Sequence, residues 1–225
     1  MNSVNLDSIF NPKSIALIGA SDEEGSVGYI LMKNLTEMGY TGHVHPVNIH
    51  KQEILGLKAY PSVSKLPKIV DLAIIATPAS TVPDIIEECG ICGIKGIIII
   101  SAGFKEAGAS GKALEMRILE IKNKYNMRII GPNCLGIIHP DINLNATFIQ
   151  KKQKPGSIAF ISQSGALGSA ILDLAVHENI KFSNFVSVGS MIDVNFGDLI
   201  DYFGTDPKTR SILMYIEGIT DARKF

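Results

Sequence analysis

Apolar residues in this chain come in short unbroken runs separated by small and polar residues. Residues 15–18 (Ile-Ala-Leu-Ile) form one run without helical spacing, the signature of a strand buried on both faces. Strands of the same kind are predicted at residues 70–76, 95–100 and 127–130, mostly apolar but carrying Asp71, Lys95 and Arg128. A further strand is predicted over residues 43–48, where Pro46 demotes it to an edge or a strand end. Between the runs, residues 27–38 and 113–125 carry helical spacing, with Leu114, Ile118 and Ile121 on one face of the latter. Another helix is expected to begin at Val82-Pro83, capped by Thr81 or Ser80. Residues 6–12 read as a lead-in that packs on this unit. Residues 51–67 read as a connection broken by Gly56, Pro61 and Pro67.

Residues 137–155 are the weakest stretch for regular structure, and Asn143, Asn145 and Lys151-Lys-Gln-Lys-Pro-Gly156 read as a connector. Within it, Lys151, Lys152 and Lys154 are expected to be a solvated face. The pattern then restarts. Strands are predicted at 157–161, 185–188 and 211–216, a turn at 162–165, and helices at 166–177 and 196–203. Strands alternating with helices predict an α/β chain built on parallel sheets. The first sheet has five strands. The second stops after three, which makes a longer native chain the expectation.

The 225 residues suit two small domains, and 46% hydrophobic content suffices for their cores. A net charge of −1 implies no general attraction to nucleic acid or to an anionic membrane. No apolar run approaches the ~18 residues of a membrane span. Met1-Asn-Ser-Val-Asn-Leu-Asp7 lacks the basic region and apolar run of a signal peptide. Three cysteines, an odd number, suggest reduced thiols and a cytoplasmic setting. Cys89 and Cys92 form a Cys-x-x-Cys on a predicted helix with no second pair for zinc, so they read as buried small residues. Cys134 falls in a ligand-side loop. His43 and His45 have no acidic cluster beside them, and no metal site is expected. His139 and His177 read as surface or capping residues.

The chemistry begins at Ser14-Ile-Ala-Leu-Ile-Gly-Ala-Ser-Asp-Glu-Glu-Gly-Ser-Val-Gly28. A strand, a small-residue loop and a helix N-terminus make an anion site, because free N–H groups and the helix dipole point the same way. It is not a P-loop, since Gly25 is followed by Ser26 and Val27 with no lysine. It is not a clean Gly-x-Gly-x-x-Gly either, since Ser21 holds the middle place. Where a dinucleotide fold that prefers NAD carries a carboxylate, this chain has Asn48-Ile-His-Lys51. Lys51 can pair with a phosphate, which fits the 2′-phosphate of NADP and the 3′-phosphate of coenzyme A equally. The loops at residues 19–28, 48–51, 77–81, 101–105 and 131–136 follow strand ends on one edge, where such sheets bind ligands. Ser164 is no hydrolase elbow, because Ser162 replaces the first glycine of Gly-x-Ser-x-Gly.

Ser14-Ile-Ala-Leu-Ile-Gly-Ala-Ser21, Pro46-Val-Asn48, Ala76-Thr-Pro78, Ser101-Ala-Gly-Phe104 and Gly131-Pro-Asn-Cys-Leu-Gly136 together resemble one family. It is the CoA-binding domain of the NDP-forming acyl-CoA synthetases, the superfamily of ADP-forming acetate–CoA ligase and the succinyl-CoA synthetase α subunit. Ile161-Ser-Gln-Ser-Gly165, Val188-Gly-Ser190, Asp206-Pro207 and Tyr215-Ile-Glu-Gly218 follow in the family's order. The resemblance implies a Rossmann-like CoA-binding domain over residues 1–150. It also implies the first part of a succinyl-CoA-ligase-like flavodoxin-type domain over 156–225.

The implied reaction joins an acid to CoA at the expense of ATP, giving ADP and phosphate, through an acyl phosphate and a phosphohistidine. The CoA-binding set carried over is Gly19, Ala20, Ser21, Gly25, Val27, Gly28, Pro46, Asn48, Lys51, Thr77, Pro78, Ser101, Ala102, Gly103 and Asn133. Lys51 would face the 3′-phosphate, Thr77 and Pro78 the pantetheine, and Ser101 and Asn133 the thiol. Ser162, Ser164 and Gly165 would receive phosphate at a helix N-terminus. Glu217 matches the carboxylate that contacts the catalytic histidine, and no metal ligand is implied. None of the five histidines stands in the phosphohistidine's context. ATP, ADP and Mg would therefore enter through an ATP-grasp β-type subunit or fused domain, in an oligomer. Two alternatives remain: a non-catalytic CoA- or acyl-CoA-sensing module of an acetyltransferase-type fusion, and an NADP-dependent oxidoreductase.

Overall fold

The computed structural model describes residues 6–219, 222, 223 and 225; the first five residues, part of the stretch read as carrying no leader, lie outside the described residues. The chain opens with α1 (Asp7–Phe10), β1 (Ser14–Ile18), α2 (Val27–Glu37), β2 (His43–Val47), β3 (Glu53–Ile54) and β4 (Leu57–Lys58). It continues with β5 (Leu72–Ile75), α3 (Val82–Ile91), β6 (Gly96–Ile99), α4 (Ala109–Tyr125) and β7 (Arg128–Ile130). Then come β8 (Gly136–His139), β9 (Leu144–Thr147), β10 (Pro155–Ser162), α5 (Gly165–His177), β11 (Phe182–Ser187), α6 (Phe196–Gly204) and β12 (Ser211–Tyr215).

The first sheet has the order β2-β1-β5-β6-β7, and every pairing is parallel. Pro46 sits on the edge strand β2, opposite Leu17, where its missing N–H does not interrupt the sheet's centre. Alternate residues of each central strand enter different cores. Ile15, Leu17, Ile74 and Ile98 join one cluster, and Ala16, Ile18, Ile75 and Ile97 the other. Covering on both faces is what makes these strands read as unbroken apolar runs.

The second sheet has the order β12-β10-β11-β8-β9. Its β10, β11 and β12 are parallel, whereas β8 runs antiparallel to β11, and β9 to β8. Much of residues 137–155 is therefore a hairpin of this sheet rather than a connector. Polar residues inside the hairpin hide the strand signal. Asn145 and Thr147 are buried, and their groups satisfy one another at 2.7 and 3.1 Å. Asn34 of α2 adds amide bonds to the carbonyls of Thr147 and Ile149 at 2.7 and 3.1 Å. The lysines of this stretch are exposed, as expected; only Gln153 between them is buried, donating to the Leu172 carbonyl.

Three smaller expectations also change. Residues 51–67 contain the hairpin β3–β4, turned at Leu55 and Gly56, both at positive φ. Thr81 precedes α3, but its hydroxyl bonds Thr77 and the Pro78 carbonyl instead of capping the helix. His139 is buried in β8, where its Nδ1–H donates to the Phe10 carbonyl at 2.8 Å, so it is neither a surface nor a capping residue.

The two sheets share a core. The cluster holding Ile15, Leu17 and Ile98 also holds Ile137, Ala159, Ile161, Val186 and Phe203. A buried charge network crosses the same seam. Asp193 accepts from Lys122 Nζ (2.8 Å), Arg128 Nε (3.1 Å) and the Ile129 N–H (2.8 Å). The other arm of Arg128 reaches Asp198 at 2.9 Å, and Asp198 closes a capping box with Asn195 at the start of α6. A buried pair broken on one side strands its partner's charge in low dielectric. Asp193→Ala is accordingly expected to lower unfolding free energy by about 3 kcal/mol, read from urea denaturation. A loss under ~1 kcal/mol, the range of surface pairs, would show that the network does not hold the seam.

Candidate functional site at the seam of the two sheets

The site is built from loop ends. β1 stops at Gly19, held at φ +89°, and a Cβ there would lie 2.5 Å from the Ala76 carbonyl oxygen. Gly28, in the first turn of α2, lies so close that a Cβ would run into the Gly19 carbonyl. The α2 N-terminus is thereby pressed against the end of β1, with Ser26 capping it by accepting from the Tyr29 N–H at 3.2 Å. Ala20 is buried, and its carbonyl accepts from Asn48 Nδ2 at 2.9 Å. Asn48 Oδ1 in turn accepts the N–H groups of His50 and Lys51. Asn48 is thus the tie between the loop after β1 and the loop after β2. Ser21 Oγ accepts from the Glu23 N–H, Gly25 sits in an open turn at φ +82°, and Pro46 lies within β2. Lys51 Nζ lies 3.2 Å from Asp22, so the cation hangs over this loop.

A second group of loops follows β5, β6 and β7. Ser101 Oγ donates to the Thr77 carbonyl at 2.5 Å, and the Ser101 carbonyl accepts from the Asn133 N–H at 2.9 Å. Pro78 begins the turn into α3, and the Gly103 N–H donates to Glu106 at 2.7 Å. Next to them Cys134 is buried and donates to the Ile99 carbonyl; burial pushes its thiol up to about 12. That thiol is no nucleophile at neutral pH.

From the second sheet comes the start of α5. Ser164 caps the helix by accepting from the Leu167 N–H at 3.3 Å, and Gly165 is its first residue. Ser162 is fully buried in β10, and its hydroxyl is spent on the Ser164 carbonyl at 2.8 Å, so it braces the turn from beneath. Glu217 follows β12 and is exposed.

A cleft of about 690 Å³ lies between these groups. Val27, Thr77, Ser101, Ala102 and Asn133 line it from the first half, and Ser164, Gly165 and Glu217 from the second. Gly19, Ala20, Ser21, Gly25, Gly28, Pro46, Asn48, Lys51, Pro78, Gly103 and Ser162 do not line it. Of the first eight, Gly19, Ala20, Ser21, Gly25, Asn48 and Lys51 lie in the loops at the α2 end, beside Gly28 of α2 and Pro46 of β2, and Val27 joins this group to the cleft.

Sequence reasoning passed over Lys105, Glu106, Phe148 and Gln163, which also line the cleft. Lys105 Nζ donates to the Ser190 carbonyl at 3.0 Å and so crosses the seam. Lys105 and Gln163 lie inside motifs already singled out, 101–105 and 162–165, whereas Phe148 carries no local signal. Among the described residues, no group of three or more His, Cys, Asp or Glu is placed to hold a metal. Nor is any of their helices long and apolar enough to cross a membrane.

A CoA-binding domain family matches residues 13–140, and a succinyl-CoA ligase like flavodoxin domain family matches residues 155–225. The chain belongs to the NDP-forming acyl-CoA synthetase superfamily. It is 50% identical over 220 residues to the acetate–CoA ligase [ADP-forming] II subunit alpha of Pyrococcus furiosus, covering 98% of this chain and 48% of that one. It is 49% identical to the acetate–CoA ligase [ADP-forming] of Methanocaldococcus jannaschii, covering 94% of this chain and 30% of that one. The dinucleotide-forming acetyl-coenzyme A synthetase 1 of Ca. Korarchaeum cryptofilum, solved with phosphate and ADP, superposes with a TM-score of 0.93 at 42% identity. That match covers 98% of this chain and 47% of the other. The chain therefore spans about half the length of the alpha subunit it matches and 30% of the Methanocaldococcus jannaschii ligase.

The thiols give a direct check on the loop after β7. In the folded chain at pH 8, Cys134 is expected to resist iodoacetamide while the partly exposed Cys92 is modified, as read by peptide mass spectrometry. Modification of Cys134 at the rate of Cys92 would mean that the loop is open.

Proposed function

We propose that this chain is the CoA-binding, α-type portion of an ADP-forming acyl-CoA synthetase, the complete enzyme converting acid, CoA and ATP to acyl-CoA, ADP and phosphate. The observation that carries the reading is the shared cleft. It places the strand-end loops of a CoA-binding fold and the N-terminus of α5 on facing walls, with Glu217 beside them. A volume of about 690 Å³ is in the range of sites for small-molecule ligands.

The residues fit coenzyme A in three places. The close approach of Gly19 and Gly28 brings the backbone and the α2 dipole within reach of a diphosphate. Lys51, beside the loop after β1, supplies a cation for the 3′-phosphate. Thr77, Ser101 and Asn133 line the path from there towards α5. CoA supplies the thiol that accepts the acyl group. The α5 N-terminus, with Ser164 and Gly165, favours a phosphate by its dipole and free N–H groups. Glu217 supplies a carboxylate that would contact the phosphohistidine of the longer protein.

One relative is named as a subunit alpha, and another, of which this chain covers 30%, is named without a subunit, which supports an ATP-grasp partner present either as a subunit or as a fused domain. ATP, ADP and Mg would act there, in a cytoplasmic oligomer whose acid substrate is a small carboxylate. The CoA-binding unit of that proposal, expected over 1–150, lends the hairpin β8–β9 to the sheet of the unit expected over 156–225, and the two share a core.

The Lys51 assignment has a selective test. By isothermal titration calorimetry, Lys51→Ala is expected to weaken CoA about tenfold, as for loss of one charge-assisted hydrogen bond, and to leave dephospho-CoA within twofold. Equal losses for both ligands would remove Lys51 from the 3′-phosphate.

A further inference from the structure

The turn between β10 and α5 holds Gln163, a side chain with a specific set of bonds. Gln163 lines the cleft, and its own N–H donates to the Tyr215 carbonyl at 3.1 Å, extending the β10–β12 pairing by one step. Its Oε1 accepts from two successive backbone N–H groups, Glu217 at 2.8 Å and Gly218 at 3.0 Å. Two donors converging on one atom identify it as the amide oxygen, since the NH2 group accepts nothing. The fork fastens the chain just past β12, where residues 215–219 are otherwise exposed. Ser162 stiffens the other side of the fork through its bond to the Ser164 carbonyl at 2.8 Å. The Glu217 backbone is thus tied to the same turn that starts α5.

We infer that Gln163 is the positioning residue for Glu217, setting where that carboxylate stands relative to the α5 N-terminus; this rests on the synthetase reading proposed above. A side-chain oxygen accepting two N–H groups replaces hydration that an exposed segment would otherwise take from water. It therefore narrows the segment's range of positions more than it adds stability. Without the fork, Glu217 stays in the chain but loses its fixed pivot. Small misplacements of a reacting group cost rate more than binding. The bonds Gln163 makes run to Tyr215, Glu217 and Gly218 and not to the loops at the α2 end, so its loss is expected to change the affinity for CoA little.

The test is a double-mutant cycle in the complete synthetase containing this chain, reading acid-dependent ADP formation and the KM for CoA. Gln163→Met, close in size and without an acceptor, is expected to lower kcat at least about fivefold and to leave the KM for CoA within twofold. Glu217→Gln is expected to lower kcat further. In the Glu217→Gln background, Gln163→Met is expected to have no additional effect, because a positioning residue acts only through the group it positions. Additive losses in the double variant would overturn the inference, as would an unchanged kcat in Gln163→Met. An unchanged kcat in Glu217→Gln would overturn the role of Glu217 and this inference with it. A wild-type assembly without acid-dependent ADP formation would instead overturn the synthetase reading itself.

Discussion

The seam between the two sheets is the constraint on which everything else depends. Asp193 and Asp198, both from the second half, hold Arg128 and Lys122 of the first in a buried network. Charges taken out of water tolerate little displacement, since losing a partner leaves an uncompensated ion. The network therefore fixes register across the seam, and the shared apolar cluster supplies the driving force for docking. With that register set, the C-terminal edge of the first sheet faces the start of α5. Neither half alone forms the cleft.

Strands buried on both faces were legible in the sequence where nearly every residue in them is apolar. The runs at 15–18 and 95–100 and the restarted pattern after residue 156 follow from that rule, as does Pro46 on the edge strand β2. β8 and β9 were not legible. Their buried Asn145 and Thr147 are satisfied by one another and by α2, a compensation visible only once the chain is folded. His139 misleads in the same way, because its hydrogen-bond partner, the Phe10 carbonyl, is remote in sequence.

The site divides along the same line. Gly19, Gly28 and Asn48 mark local geometry, namely a tight approach and a turn, and such demands are written in residue type. Ser162 stands in a helix-start motif, yet its hydroxyl is consumed within the turn, and no spacing rule shows which way a side chain faces. Phe148 lines the cleft from a stretch that carries no local signal. Membership of the superfamily, carried by motifs in both halves, favours coenzyme A where the glycine loop alone left two phosphate-bearing cofactors open.

Coenzyme A recognition by the first half is the central claim, and thermal unfolding of this chain with CoA, dephospho-CoA and NADP in parallel tests it most directly. A ligand that binds only the folded state, at about 100 times its dissociation constant, adds about 2.7 kcal/mol. The account predicts a rise in melting temperature with CoA, a smaller one with dephospho-CoA at the same concentration, and none with NADP. A rise with NADP alone, or no rise with CoA, would contradict it.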